Sequence, residues 1–285
     1  MKKAIIIPNL KKDADLSVTL RVIAKLREIG IEAFVSEEYR TARLDGVQYY
    51  SDAPVGAELV IVIGGDGSVI DASRIAIRLD IPLFGVNLGR VGYLSEVEPD
   101  NIDVLEKLRL GEFAIEEKML LTAEKHSAKG EVLISERFAV NDVVISHDNY
   151  FGIADFRLEN RHGELIKYRA DGIILSTPAG STAYSLSAGG PIVAHNLDSI
   201  IATPVCPHSF FDRSIVYEPD ECITVSNAGD AVLNISLDGR FFSRLESGES
   251  CSVKKSDKRV KMISFSENNL FSTLFKKIKL LEDKA

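Results

Sequence analysis

The chain has no excess of basic residues: 34 Lys and Arg stand against 42 Asp and Glu, a net charge of −8 over 285 residues. Nucleic-acid binding needs a broad basic face to neutralise phosphates, so the balance argues against that class. It leaves room for a small anionic ligand held by a few local cations such as Arg90, Arg169 or Arg240. Cysteine is scarce. Cys206, Cys222 and Cys251 are odd in number, far apart and in no metal-ligand spacing, as expected of reduced thiols in the cytoplasm. No segment approaches the ~20 apolar residues of a membrane span. The start, Met1–Pro8, has too short an apolar run for a signal peptide and reads as a buried strand. A polybasic run and a basic amphipathic helix are also missing, which removes the usual means of docking on a membrane face. No internal repeat or low-complexity segment is present.

What is present is concentrated in a few places. Gly64-Gly65-Asp66-Gly67-Ser68 follows directly on the apolar run Glu58–Ile63. A buried strand ending in glycines before a helix lets a ligand approach the backbone closely and meet the helix's unpaired N–H groups and positive dipole end, a setting that suits phosphate. Asp66 does not belong in a loop that only holds phosphate. Beside one it makes sense as a Mg²⁺ ligand or as the base for an attacking hydroxyl, which points to phosphoryl transfer to an alcohol. The bland alternative is a turn in which Asp66 or Ser68 caps a helix Val69–Arg78. The loop is not a Walker A sequence, since no Gly-Lys-Ser/Thr follows, nor a dinucleotide Gly-x-Gly-x-x-Gly.

The first hundred residues alternate strand and helix. Strands are expected at Ala4–Ile7, Glu32–Val35, Leu59–Ile63 and Pro82–Val86, with a helix over Asp15–Ile29 and a loop or short helix over Glu37–Gly56. This pattern implies an α/β N-terminal domain with a parallel sheet and ligands at the carboxyl ends of its strands. Asn87–Tyr93 forms a second glycine loop at the same edge. From about Glu112 short strand-like runs follow one another, among them Phe138–Ser146, Glu164–Arg169 and Val232–Leu237, which indicates a β-rich, sandwich-like C-terminal domain. Phe271–Leu281 returns to helical spacing. The expected division is residues 1–111 with 267–285, and residues 112–266.

Gly172–Leu197 contains no Asp, Glu, Lys or Arg, where ordinary composition would place about one charge in every four residues. Its core, Ser176–Pro191, is filled with hydroxyls and glycines and is unlike a surface helix. A neutral surface with short hydrogen-bonding arms suits a purine or nicotinamide ring, with Tyr184 as a stacking face; a buried interface or tight backbone crossing is the other reading. Arg169 and Asp171 frame its entry, as ligand contacts or as a surface ion pair of little worth. Asn141-Asp142 is a polar step inside the apolar run Phe138–Ile145 and reads as a bulge or turn. His208 reads as a structural histidine, and His147, His162 and His195 have no partner visible in sequence.

Taken in chain order, Gly64–Ser68, Asn87–Leu94, Asn141-Asp142, Ala170–Val193 and Thr203–Ser209 resemble the ATP-dependent NAD kinases over nearly the whole chain. Ser176–Pro191 is the specific part; the glycine loop alone is shared with diacylglycerol kinases and phosphofructokinases. The resemblance implies phosphorylation of the adenosine 2′-hydroxyl of NAD by ATP with Mg²⁺, in a homodimer or homotetramer whose chain end returns to the first domain. By motif, Asp66 would activate the 2′-hydroxyl, with Gly65 and Gly67 in the same loop. Asn141 and Asp142 would hold the dinucleotide. Thr182, Ala183, Tyr184, Ser185, Leu186 and Ser187 would line its pocket, with Arg169 and Asp171 beside them and Arg240 as a late binding position. Three positions depart from the family pattern: Asp142 where Glu is common, Ala179 where Thr or Ser is usual, and Arg240 in place of Gln. Rival readings are a lipid or sugar kinase, and a non-catalytic NAD(P)-binding sensor.

Overall fold

The computed structural model describes residues 1–52, 54–89, 92–147 and 152–265, together with 274, 275 and 279. Arg90 and most of the expected helix Phe271–Leu281 lie outside the described residues. The chain forms two compact units, Met1–Glu117 with Val260–Ala285, and Lys118–Arg259. No described helix is long and apolar enough to cross a membrane.

The first unit is built on β1 (Lys3–Pro8), α1 (Ser17–Glu28), β2 (Glu32–Ser36), β3 (Val47–Tyr50), β4 (Leu59–Gly64), α2 (Asp66–Leu79) and β5 (Leu83–Asn87). The strands pair in parallel in the order β3-β2-β1-β4-β5. All residues of β4 and β5 are buried. This follows from parallel strands covered on both faces, and it is why they read as unbroken apolar runs. Their side chains join Val22, Ile23 and Leu26 of α1 in one core. The chain moves outward from β1 to β3 and then restarts on the other side of β1 with β4, so the β1–β4 boundary is a topological switch point, where ligands bind outside the carboxyl ends. A short strand, β6 (Ser95–Val97), pairs with β5, and α3 (Glu106–Leu110) follows. The late chain returns here. Met262 pairs with Leu83, the Phe265 ring meets that of Phe84 edge-on at 5.2 Å, and Lys107 Nζ donates to the Phe265 carbonyl.

Two local expectations change. Glu37–Gly56 contains, besides a 3₁₀ turn at Glu37–Ala42, the strand β3, paired to β2. It escapes a sequence reading because it is a four-residue edge strand with no fully buried residue, so it has no apolar run to show. Helix α2 begins at Asp66, not Val69, with Gly65 at its N-cap and no side-chain cap. Asp66 and Ser68 are therefore free of the capping role.

The second unit is a sandwich of two sheets. One carries β11 (Leu165–Ala170), β10 (Ala154–Glu159), β15 (Cys222–Asn227) and the first part of β18 (Ser250–Ser264), with the hairpin β7 (Ala114–His126) and β8 (Val132–Ala139) joined to β18. The other is antiparallel throughout, in the order β14 (Ile215–Tyr217), β13 (Ile200–Val205), β12 (Gly172–Ser176), β9 (Asp142–His147), β16 (Leu233–Leu237) and β17 (Arg240–Leu245). Strands β10 and β16 alternate buried and more exposed positions, as expected where one sheet face meets the core. The inward residues, among them Phe156, Leu158, Ile173, Ile235 and Val253, form a single cluster.

Candidate functional site

In the first unit the loops after β1, β4 and β5 are tied together by backbone bonds. Asn9 N donates to Ile63 O at 2.9 Å, and Leu88 N donates to Gly64 O at 2.8 Å. Asp66 opens α2, where the first N–H groups have no partner inside the helix. Its carboxylate is turned toward the segment before β6: it accepts from Tyr93 N at 2.7 Å, Leu94 N at 3.2 Å and Ser95 Oγ at 3.2 Å. A carboxylate offers about four lone-pair directions, so among the described residues one on Oδ2 is left for a ligand. Gly65 is buried. Gly67 is exposed, and a Cβ there would meet nothing within 4 Å, so the helix start is open on that side.

The close approach of Gly92 to Asp66 gives this glycine a purpose the sequence did not reveal. A methyl group at Gly92 would fall 2.1 Å from Asp66 Oδ1 and 2.9 Å from Cγ, so the carboxylate can lie in this position only beside a residue without Cβ. Gly92→Ala is therefore expected to displace the carboxylate while leaving the β-sheet core intact. A misplacement of this kind at a reacting group can cost about 10²-fold in rate. The check is product formation against the thermal melting curve: a normal rate at normal stability would contradict it.

In the second unit, Asn141 lies in the bend between β8 and β9, and Asp142 opens β9. The bend is held by Asp238, in the turn between β16 and β17, whose carboxylate accepts from Val140 N at 3.0 Å, Asn141 N at 2.7 Å and Asp142 N at 3.3 Å. Asp238 N in turn donates to Asp142 O at 3.0 Å. The start of the neutral segment closes on the same place. Thr177 N donates to Asn141 O at 2.9 Å, Thr177 Oγ1 donates to Val140 O at 2.7 Å, and a Cβ on Gly180 would sit 2.0 Å from Asn141 O. Thus Asn141, Asp142 and the 177–180 turn that leads into Thr182 come together, with Arg240 two residues past Asp238 and exposed.

The segment after Thr182 departs from the expectation of non-helical chain: Tyr184–Ser187 forms one short turn of helix, α4. Ser185 Oγ meets Thr203 Oγ1 at 3.0 Å and is fully buried, while Tyr184 is 46 % exposed and Leu186 36 %. Tyr184 thus keeps the open face a stacking role needs, whereas Ser185 is committed to the fold. Ala183 is the residue between the 3₁₀ turn Gly180–Thr182 and α4, and Ser187 ends the helix. Arg169 and Asp171 do not join the Asn141-Asp142 end. Asp171 precedes Gly172, which lies opposite Ser146, whereas Asp142 lies opposite Ser176 at the other end of β12. No Arg169–Asp171 ion pair forms among the described residues; Asp171 Oδ1 is 4.0 Å from His147 Nε2, and the Arg169 backbone is bonded to His208 N and Ser209 Oγ. His195 lies 3.3 Å from Lys118 Nζ and is held down at about 4 by burial and then by that charge, so its ring is neutral.

Asp142 is buried and its carboxyl is pushed up to about 7, first by burial and then by the Asp238 charge. The folded protein therefore keeps a proton there that the unfolded chain releases near pH ~4. Between these values the native state binds more protons, so stability falls as pH rises from about 4 to about 7 and this contribution levels off above. Asp142→Asn is expected to flatten that part of the profile, as read by denaturant midpoints from acid to neutral pH. An unaltered slope would show that Asp142 does not carry it.

The three cysteines are free. Among the described residues no group of three or more His, Cys, Asp or Glu side chains is disposed to hold a metal by itself. Sequence reasoning missed Asp238, Gly92 and Thr177, which act on the site residues rather than stand out by type. The Asp238-Gly239 turn before Arg240 was the one visible signal.

Comparison with known proteins accounts for both halves of this arrangement. Residues 9–113 match the ATP-NAD kinase N-terminal domain and residues 140–265 the ATP-NAD kinase C-terminal domain. An NAD kinase of Thermoanaerobacter sp. (strain X514) is 36% identical over 284 residues, covering 98% of this chain and 99% of that protein. The NAD kinase of Geobacter sulfurreducens is 37% identical over 283 residues, with 98% and 99% covered. The crystal structure of yeast NADH kinase complexed with NADH shares the fold at a TM-score of 0.85 and 20% identity, covering 98% of this chain and 88% of that one. An NAD kinase from Archaeoglobus fulgidus in complex with ATP superposes at 0.72 with 25% identity, covering 97% and 98%. With both domains matched and relatives aligned end to end, this chain belongs to the NAD kinase family.

Proposed function

We propose that the protein transfers the γ-phosphoryl group of ATP to the adenosine 2′-hydroxyl of NAD, giving NADP and ADP. The observation that carries the reading is the Asp66 carboxylate: it is fixed by three hydrogen bonds at the start of α2 beside the glycine loops, with one lone pair of Oδ2 unused among the described residues. Membership of the NAD kinase family supports the choice of substrates.

The glycine loop and the N-terminal N–H groups of α2 would bind ATP phosphates. Asp66 Oδ2 would accept the proton of the ribose hydroxyl as the oxygen attacks, a contribution of about 10²–10⁴-fold for a positioned base. The rest of the acceleration comes from holding the reactants in line and stabilising charge. In the β-rich unit, Asn141, Asp142, Thr182, Tyr184 and Arg240 would contact the dinucleotide, with Ala183, Ser185, Leu186 and Ser187 shaping the wall and Arg169 and Asp171 serving its far side. A Mg²⁺ carried by ATP takes most of its ligands from phosphate and water. Such an ion would need no cage of protein ligands, and among the described residues none is disposed to form one; it would sit on the phosphates and offset their charge, leaving Asp66 Oδ2 to the hydroxyl proton.

The deciding experiment is NADP formation by the purified protein with Mg²⁺-ATP and NAD, followed with an NADP-specific dehydrogenase. A rate that saturates in both substrates is expected. NAD binding without product would favour the sensor reading instead. The proposal includes a cytoplasmic homo-oligomer, supported by the free cysteines and by the exposed Phe210, Phe211 and Phe241. A monomer by light scattering would remove the oligomer from it.

A further inference from the structure

The loop after β1 sits at the β1–β4 switch point and is built as a rigid turn. Asn9 Oδ1 accepts from Lys11 N at 3.1 Å and Lys12 N at 3.2 Å, and Asn9 O accepts from Lys12 N at 3.0 Å. The turn is also bonded to the glycine loop, because Asn9 Nδ2 donates to Ser68 Oγ at 2.9 Å. The Lys12 backbone is thereby held in fixed relation to Gly64–Ser68, more than fifty residues away in sequence.

The side chain uses that position. Lys12 Nζ lies where a Cβ on Gly65 would approach it to 2.6 Å and a Cβ on Gly89 to 3.2 Å. Both glycines, at the carboxyl ends of β4 and β5, clear space for this ammonium. Among the described residues no carboxylate lies within ion-pair distance of it, and Asp66 is turned instead toward Tyr93, Leu94 and Ser95. The Lys12 ammonium and the positive end of α2 thus present charge of the same sign to the glycine loops. Both act favourably on a phosphate.

We propose that Lys12 is the cation that binds the polyphosphate of the nucleotide substrate, bridging the loops after β1, β4 and β5. The proposal rests on the glycine loop being the phosphate site. It also answers the repulsion that Asp66 would otherwise exert on a phosphate in the same loop: one fixed positive charge offsets one negative charge and leaves the carboxylate available for the hydroxyl proton.

The test uses the full-length protein with Lys12→Met and Lys12→Arg, and inorganic tripolyphosphate as the calorimetric probe beside wild-type NADP formation. Lys12 is exposed, so both variants are expected to fold and melt as the wild type does. Lys12→Met should weaken tripolyphosphate binding about 10- to 100-fold, the size of a hydrogen bond to a charged group. It should raise the KM for ATP while leaving the KM for NAD unchanged, and Lys12→Arg should recover most of the affinity. Unchanged tripolyphosphate affinity in Lys12→Met, or a wild type that does not bind the probe, would overturn the assignment. If the wild type forms NADP and Lys12→Met binds normally, the Lys12 role falls and the kinase reading stands. If Lys12-dependent binding occurs without NADP formation, the kinase reading falls and the phosphate site stands.

Discussion

Asp66→Asn is expected to lower NADP formation by about 10²–10⁴-fold, the usual contribution of a positioned base. The loss should appear in kcat, since the amide fills the same space and, in the proposed reading, the remaining NAD contacts lie on other residues. Its carbonyl oxygen can still accept from Leu94 N and Ser95 Oγ, but an amide nitrogen cannot accept from Tyr93 N, so a small loss of stability accompanies the change. Calorimetry should show NAD binding within a few-fold of the wild type. A wild-type rate in this variant would remove the base role and leave Asp66 as a loop residue.

Asp238→Ala should have the largest effect on stability. Two consequences oppose each other. Removing the carboxylate takes a negative charge away from buried Asp142, which relieves repulsion; but burial outranks Asp238 as the cause of the Asp142 shift, so this gain is the smaller part. Against it, Val140 N, Asn141 N and Asp142 N lose their acceptor, at about 1–3 kcal/mol for each that finds no water. Asp238 also has φ 51°, in the left-handed region that Asp and Asn tolerate better than Ala, which adds about 1–2 kcal/mol. The net expectation is a loss of roughly 3 kcal/mol or more in denaturant unfolding, together with a raised KM for NAD because the Asn141-Asp142 backbone is no longer held. Asp238→Asn keeps the backbone preference and one acceptor, so it should fall between. An unaltered midpoint in Asp238→Ala would show that the three N–H groups are satisfied without it.

These two residues show where sequence reading succeeds and where it stops. Asp66 was legible because its type conflicts with its setting: an acid among glycines after a buried strand calls for a chemical reason. Asp238 carries no such conflict, since Asp-Gly is ordinary turn chemistry. Its importance lies in which N–H groups its carboxylate meets, some 96 to 98 positions earlier in the chain. Strand β3 was hidden for a related reason: a short edge strand leaves no buried run, and only its pairing with β2 defines it. The start of α2 at Asp66 rather than Val69 was also out of reach, because Gly67, of low helix propensity, was recruited into its first turn by its place after β4.

By itself the sequence determined the two kinds of architecture, the run of parallel strands with its glycine loop, and the charge-free segment from Gly172 to Leu197. Each of these is written in local periodicity and composition, which need no knowledge of distant neighbours. The tertiary structure decided what each site residue can do: that Gly92 clears space for Asp66, that Gly65 and Gly89 clear space for Lys12, and that Asp238 holds Asn141-Asp142 while Arg169 and Asp171 sit past the other end of β12. The physical reason is that hydrogen bonds and steric contacts act over a few ångströms in space, and only folding turns separations of tens of residues along the chain into such distances.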